Sequence, residues 1–337
     1  MRFAGSLATL ALLLPLAGCG GDSTSPNPIA HPEGLWTVSG IPSAIVHLAP
    51  DQLATSGNRA PTTEVTTPSA KLSEPGGIAF DTDGTMWIAS SFDSVLVAFS
   101  PASVATSGTV AARTVIKAVN GSLRLPTGIA FDRNHRLWVA NTGNGTIVRF
   151  DRDQLASSGA PAPTVVLAGQ THPAGLAFDA EGSLWVSYPL TSTLVKYTGD
   201  QLEASGAPAP AVILTATDRS LDGPEYIAFD ATGNLWVPNV GNFTIVSFTP
   251  AQLAVSGSPV PQVVLSANSS LALPISLAFA ADGSLWVMNG EGQLEQFAVG
   301  SLAASGAPAP TVRVALASHT LLLNEAFWPV PAGLPLN

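Results

Sequence analysis

Residues 125–141 read LPTGIAFDRNHRLWVAN, and this order of apolar run, polar turn and apolar run decides the fold. Four other stretches repeat it with the same spacing: EPGGIAFDTDGTMWIAS (74–90), HPAGLAFDAEGSLWVSY (172–188), GPEYIAFDATGNLWVPN (223–239) and LPISLAFAADGSLWVMN (273–289). A sixth copy of the second half, GLWTVS, begins at Gly34. The tryptophans of these six copies lie 47 to 51 residues apart. A period near this length is typical of tandem structural repeats.

Each repeat contains four short runs rich in Val, Ile, Phe and Trp, which predict four strands, called a, b, c and d in chain order. The DxxG turn between strands a and b suits a tight reversal, because Asp can cap the turn and Gly can adopt a positive φ. His135 replaces that glycine in one repeat and predicts modest local strain. A Ser-Gly dipeptide and, in three repeats, Ala-Pro-Ala-Pro precede strand d, so we expect strand d at an unpaired outer edge.

Six such units arranged radially bury each sheet face against the next one, which predicts an all-β, six-bladed β-propeller with four-stranded antiparallel blades. The first repeat lacks strand a. The C-terminal sequence LNEAFWPVPAGLPLN (323–337) supplies a candidate, in which Ala326 and Phe327 match Ala278 and Phe279. We therefore predict that the C-terminal strand completes blade 1 and closes the ring, which removes exposed sheet edges. A linear β-solenoid is the alternative.

The first 18 residues have the features of a signal peptide: a basic Arg2 and an apolar segment, 7–16, that is too short to cross a bilayer. Leu-Ala-Gly-Cys at 16–19 resembles the lipobox of bacterial lipoproteins. The resemblance implies cleavage before Cys19 and attachment of lipid to Cys19. Residues 19–32 are then the lipidated cysteine and a flexible tether, and residues 33–337 are the propeller. An ordinary secretory signal with a chance cysteine is the alternative.

This organisation predicts an extracytoplasmic protein held by lipid on a bacterial membrane. Gly20 follows the cysteine, whereas an Asp there is associated with the inner membrane in enteric lipoproteins; the resemblance therefore implies the outer membrane, with the body in the periplasm or on the surface. Cys19 is the only cysteine, which excludes disulfides and thiol catalysis in the body. A formal net charge of −10 with 13 basic residues argues against nucleic acid as a partner.

The pattern P-x-G-[IL]-A-F-D-x-x-G-x-L-W-V-A-N resembles the NHL-repeat propellers and their relatives, the gluconolactonase/senescence-marker family and the virginiamycin B lyases. The resemblance covers residues 33–337 and implies a propeller. It implies function only weakly, because propellers host many activities.

Polar residues at the b–c loops and at the start of strand a are expected to line a shallow funnel around the axis. Asparagine is also favoured in tight turns for backbone reasons, so a purely structural role is the alternative for these residues. The candidate ligand-binding residues are Thr127, Asn141, Tyr188, Glu225, Tyr226, Asn239 and Asn289.

Glu225 is the candidate for chemistry, because a carboxylate near a narrow, partly desolvated channel could bind a cation or act as a base. The gluconolactonase-like resemblance implies several metal ligands, and Glu225 alone is a sparse set for calcium or magnesium. The lyase resemblance implies a histidine, a glutamate and magnesium, for which His172 and Glu225 on adjacent blades are the matching pair. That family has seven blades, however, and a solvated loop glutamate is the alternative.

Two functions follow from these observations. The first is a membrane-anchored binding or scaffold protein, without enzymatic activity, for a small polar ligand, a glycan or a protein. The second is a metal-dependent hydrolase or lyase of the gluconolactonase or virginiamycin B lyase type.

Overall fold

The computed structural model describes residues 33–40, 42–68, 72–266 and 271–317, together with the backbone of Phe327–Val330. Its strands form six sheets, and each repeat supplies one sheet in the order a, b, c, d. This arrangement confirms the six-bladed propeller. The predicted signal peptide, the lipidation site Cys19 and the tether lie outside the described residues.

The strands have closely similar bounds from blade to blade. From blade 1 to blade 6, strands a are Phe327–Val330, Pro75–Phe80, Pro126–Phe131, Leu176–Phe178, Ala228–Phe229 and Pro274–Phe279. Strands b are Gly34–Gly40, Met86–Ser90, Leu137–Asn141, Leu184–Tyr188, Leu235–Asn239 and Leu285–Asn289. Strands c are Ser43–Leu48, Val95–Phe99, Thr146–Phe150, Thr193–Tyr197, Thr244–Phe248 and Gln293–Phe297. Strands d are Thr63–Thr66, Thr114–Lys117, Val165–Ala168, Val212–Leu214, Val263–Ser266 and Val312–Leu316.

Short helical turns connect strands c and d in five blades. They are the α-helical turns Pro50–Leu53 and Pro101–Val104 and the 3₁₀ turns Gly199–Leu202, Gln252–Ala254 and Val299–Leu302. Ser100 caps the second of them by accepting a hydrogen bond from the backbone N–H of Ser103, as its position before a proline predicts. Within the described ranges, no helix combines the length and the apolar character that a membrane crossing requires.

The C-terminal strand closes the ring. Phe327–Val330 pairs antiparallel with Gly34–Gly40, which confirms the predicted completion of blade 1. The predicted match of residues is wrong by two positions, since Trp36 lies opposite Trp328 whereas Trp286 of blade 6 lies opposite Ala278. A shift of two residues keeps every side chain on the same face of the sheet, so the apolar pattern alone could not distinguish the two registers.

Buried side chains fill the spaces between neighbouring blades. Trp138 of blade 3 packs with Leu184 of blade 4, and Leu35 of blade 1 packs with Met288 of blade 6. Each of the six apolar clusters combines residues from at least two adjacent blades. Burial of a large apolar side chain contributes about 1.5–3 kcal/mol, so the ring is held together mainly by these layers.

The outer edge of strand d is paired, contrary to the prediction that it would be free. In all six blades the Ser-Gly segment of one blade lies along strand d of the blade before it, as parallel pairs that include Gly159 opposite Ile116. The serine hydroxyl also accepts a hydrogen bond from a strand d N–H, at 3.0 Å between Ser158 and Val115. Prolines next to strand d therefore mark a connection that clasps the neighbouring blade. The six clasp serines are Ser56, Ser107, Ser158, Ser205, Ser256 and Ser305.

Candidate functional site

The connections between strands divide the propeller into two faces. The b–c loops and d–a connections lie on one face, called the b–c face. The a–b turns and c–d connections lie on the other, called the a–b face. Because every predicted site residue lies at the end of strand b or near the start of strand a, all of them belong to the b–c face.

The three candidate asparagines are buried, and their side-chain amides form hydrogen bonds with the backbone of their own blade. Asn141 donates to the carbonyl of Ser122 at 3.0 Å and accepts from the N–H of Arg124 at 3.1 Å. Asn239, two repeats later, makes the equivalent contacts: it donates to the carbonyl of Ser220 and accepts from the N–H of Asp222. Asn289 accepts from the N–H groups of Glu291 and Gln293. These contacts fit the structural alternative for asparagine, since they leave little hydrogen-bonding capacity for a ligand.

Thr127, Tyr188 and Tyr226 are also buried. The Thr127 hydroxyl lies 2.9 Å from that of Thr142. Tyr188 lies in the cluster between blades 3 and 4, where burial raises the pKa of its hydroxyl. Tyr226 packs in the same cluster as Ile275. These three side chains contribute to packing at the centre of the b–c face.

Glu225 is the one carboxylic acid among the predicted site residues. Its side chain is partly buried, and no hydrogen bond or ion pair holds its carboxylate among the described residues. Desolvation by burial raises its pKa to about 8. His172 is exposed at a positive φ of 60°, and no contact joins it to Glu225. The described part of the chain holds no group of three or more His, Cys, Asp or Glu side chains suited to a metal ion.

Backbone contacts narrow the predicted funnel. The Gly128 N–H donates to the carbonyl of Ala174, and the Tyr226 N–H donates to that of Ile275, both at 3.1 Å. A Cβ on Gly175 would lie 2.6 Å from the carbonyl oxygen of Glu225. The starts of strands a in blades 3 to 6 therefore touch directly, which explains why glycine is needed where the backbones approach so closely.

Exposed apolar side chains on the b–c face were not anticipated from the sequence. Phe92 and Leu190 occupy the second position of their b–c loops and are 63% and 66% exposed. Phe243 ends a b–c loop and is 47% exposed, and Leu125 precedes strand a of blade 3 and is 38% exposed. These four residues, on blades 2 to 5, are called the apolar arc. The sequence signal that could have found the loop residues is an apolar residue within a short, otherwise turn-like b–c loop.

Two members of the apolar arc have strained backbones. Phe243 has a φ of 59° where the equivalent residues of blades 3 and 6 are Gly145 and Gly292. Leu125 has a φ of 45°, and Glu74, His172 and Leu273 have a positive φ at the same repeat position. The positive φ therefore belongs to the fold, although it is costly for a bulky residue. What folding does not explain is the exposure of the apolar side chains.

Comparison with known proteins gives a fold and a partial family match. Residues 54–167, roughly a third of the chain, match the model described as SMP-30/Gluconolactonase/LRE-like region. No curated protein matches the sequence. A chain of a nidogen/laminin complex shares 14% identity and a TM-score of 0.58 over 87% of this chain and 97% of its own.

Two other solved structures are similar. A protein of unknown function from Bacteroides caccae shares 12% identity and a TM-score of 0.57, over 84% of this chain and 98% of its own. A streptogramin B lyase shares 14% identity and a TM-score of 0.51, over 69% of this chain and 68% of its own. At these identities the likeness extends to the propeller fold.

Proposed function

We propose that the protein is a lipid-anchored, extracytoplasmic binding module whose b–c face recognises an apolar surface on another protein. The anchor is Cys19, and residues 20–32 are the tether. Strand b of blade 1 begins at Gly34 on the a–b face, so the tether leaves from that face. The b–c face is then the face farther from the point of attachment and is available to a protein partner.

The exposure of the apolar arc carries this proposal. Phe243 and Leu125 combine a positive φ with an exposed apolar side chain; a polar residue would avoid the exposed apolar surface, and glycine would avoid both costs. Exposed aromatic and aliphatic residues on a rigid loop are typical anchors of protein interfaces. Burial of the apolar arc by a partner contributes hydrophobic free energy that is not gained on folding.

Site-specific photo-crosslinking tests the proposal in the organism that makes the protein. A photoreactive phenylalanine analogue is placed at 92, 190 or 243 in the full chain, and at 260 as the control, because Val260 is 73% exposed but lies in a c–d connection. We expect one protein to be captured from all three loop positions and not from 260. The identified partner should then bind the wild type at least tenfold more tightly than Phe92→Ser. Capture from 260 alone, capture of lipid in place of protein, or equal affinity would contradict the proposal.

The anchor has its own test. Metabolic labelling with a radioactive fatty acid should mark the wild type, and the protein should sediment with membranes. Cys19→Ser should abolish both the label and the sedimentation. An unlabelled wild type, or a Cys19→Ser variant that still sediments, would contradict the anchoring and leave the crosslinking result standing.

The alternative, a metal-dependent hydrolase or lyase, finds a poor set of ligands. A divalent cation of the calcium or magnesium type is bound by several oxygens, and Glu225 is the one carboxylate that directly follows the proline before or at the start of strand a in blades 2 to 6. The residues present therefore do not fit such an ion at this position of the b–c face.

A further inference from the structure

A cavity of about 720 Å³ lies on the a–b face between blades 2 and 3. Its wall in blade 2 is the a–b turn Asp81–Thr85 with Trp87 and Arg113. Its wall in blade 3 is the a–b turn with Asn134, His135 and Arg136, and the first part of the c–d connection, 151–156. This volume falls within the usual range for small-molecule sites.

Two repeat positions distinguish this cavity from its neighbour between blades 3 and 4. Residue 98 lies opposite Trp87 and is alanine, whereas Arg149 and Lys196 lie opposite Trp138 and Trp185. Ala156 stands where the next blade has Glu203, and the other four repeats also have alanine there. Glu203 bridges to Arg136 and Arg149 at 3.0 and 3.2 Å, and the cavity beside it is about 180 Å³.

Trp87, which lines the cavity, has an indole N–H without a hydrogen-bond partner among the described residues. Trp138, Trp185 and Trp236 each donate to the first aspartate of their own a–b turn, at 2.8 to 3.1 Å. Trp87 is 2% exposed and lines the cavity, yet its Nε1 has no hydrogen-bond partner among the described residues. A buried donor without an acceptor costs about 1–3 kcal/mol, so a ligand atom that accepts from it is favoured.

The aspartate of this turn is engaged elsewhere. Asp81 Oδ1 accepts from the backbone N–H groups of Asp83 and Thr85, and Asp83 is a second carboxyl of the same turn. Burial and the neighbouring Asp83 raise the pKa of Asp81 to about 7. A carboxyl that keeps its proton near neutral pH can donate to a hydroxyl as well as accept from one.

His135 is the second unusual group. It has a φ of 58°, whereas the other four described a–b turns place glycine there at 79 to 81°. Glycine would adopt this φ without strain, so the histidine is unfavourable for the turn itself, while its imidazole lies in the cavity wall.

Most of the charges that line the cavity are already paired. Arg136 bonds Asp132 and Glu203, Asp151 pairs with Arg149, and Arg113 contacts Asp83 and Thr85. The remaining polar groups of the lining are the buried Trp87 N–H, the half-buried His135 ring and the exposed Asn134 amide, with Arg152 and Asp153 exposed at the rim. The apolar floor includes Phe131 and Leu155.

We propose that this cavity binds a neutral polyhydroxylated ligand, the chemistry of a saccharide. A sugar hydroxyl both accepts and donates, so one ligand can satisfy the Trp87 N–H and the carboxyl pair of Asp81 and Asp83. Its ring carbons cover the apolar floor. The site lies on the opposite face from the apolar arc and does not depend on the proposed function.

The test follows the indole N–H of Trp87 by ¹H–¹⁵N NMR in the full chain, with the resonance assigned by its loss in Trp87→Phe. The probes are glucose, N-acetylglucosamine and maltose, with glucuronate and alanine as charged and zwitterionic comparisons. We expect at least one neutral sugar to move the Trp87 resonance saturably. None of the three sugars moving it, or only glucuronate or alanine moving it, would overturn the proposal.

Two variants test the location without disturbing the core. Ala156→Glu fills the cavity as Glu203 fills the next one, and we expect it to weaken binding at least tenfold. Ala303→Glu is the matched control, because Ala303 has the same repeat position in blade 6 and is exposed. His135→Gly restores the residue of the other turns and should weaken binding about fivefold while the melting temperature stays or rises. Unchanged affinity in Ala156→Glu, or an equal loss in Ala303→Glu, would place the sugar elsewhere and overturn the proposal.

Discussion

At the scale of single residues, one carboxylate performs two tasks in the a–b turns of blades 3, 4 and 5. In blades 3 and 5, Oδ1 of Asp132 or Asp230 accepts from backbone N–H groups and shapes the turn, while Oδ2 accepts from the indole of the tryptophan six residues later. Hydrogen bonds to a charged group contribute about 1.5–3 kcal/mol. The DxxG motif is therefore explained by folding, and Trp87 differs because the aspartate present in its turn does not accept from its indole.

Backbone strain at Phe243 gives a prediction that separates conformation from side-chain chemistry. Its φ of 59° costs an ordinary L-residue roughly 1–2 kcal/mol. We expect Phe243→Gly to be about 1 kcal/mol more stable than Phe243→Ala in urea denaturation, because glycine adopts this φ freely. Phe92 is the control, since it lies in a similar loop without a positive φ, and there alanine should be the more stable of the two. The reverse order at residue 243 would show that no strain is stored there.

Glu225 predicts a pH-dependent stability. A carboxyl whose pKa rises from its usual 4.5 to about 8 on folding binds its proton more tightly in the folded state. The free energy of unfolding therefore falls as pH rises from about 4.5 to 8 and is level above that. Glu225→Gln cannot ionise and should lack this fall, so it should match the wild type at pH 4 and exceed it at pH 9. Parallel pH profiles from urea denaturation would contradict the raised pKa.

At the scale of elements, the Ser-Gly clasp binds every blade to its neighbour outside the apolar layers. The glycine pairs with strand d and the serine accepts one further N–H, so the same Ser-Gly pair acts six times around the rim. Gln154 orients its connection by donating to the carbonyl of Ala162 at 2.6 Å, and Gln52, Gln201 and Gln252 do the same in their blades. The clasp thus protects the outer edge of strand d, which would otherwise be free to pair with another chain.

Removal of one clasp hydroxyl should have a measurable cost. Ser158→Ala deprives the Val115 N–H of its side-chain acceptor, and we expect a loss of about 1 kcal/mol in the free energy of unfolding. Ser157→Ala is the control, because Ser157 is exposed beside it and makes no described hydrogen bond; it should change stability by less than about 0.5 kcal/mol. Equal effects of the two variants in urea denaturation would show that the clasp serine is not stabilising.

At the scale of the whole molecule, the repeat period predicts the blades because each repeat carries its own strands, turns and tryptophan. The repeat period does not reveal which polar side chains are free to bind a ligand or where a cavity lies. The Asn141 and Asn239 amides look available in a one-dimensional sequence, and only their loops show that they are used internally. The cavity between blades 2 and 3 has Ala156 where its neighbour has Glu203, a difference that is visible only with the repeats in register. Five of the clasps join positions some forty residues apart and the sixth joins Ser56 to Arg313, beyond the reach of a local pattern.

Closure of the ring makes the stability of blade 1 depend on residues at both ends of the described chain. Phe327–Val330 is the inner strand of that blade, so deletion of 327–337 exposes the edge of Gly34–Gly40 and weakens the contacts with blades 2 and 6. We expect the melting temperature to fall by on the order of 10 °C or more, because several kcal/mol of pairing and packing are lost. Deletion of 331–337 alone leaves the strand and should change the melting temperature by less than about 2 °C. Equal melting temperatures for the two truncated chains would mean that pairing of this strand contributes nothing, and the six blades would then be held by their apolar layers and the peripheral clasps.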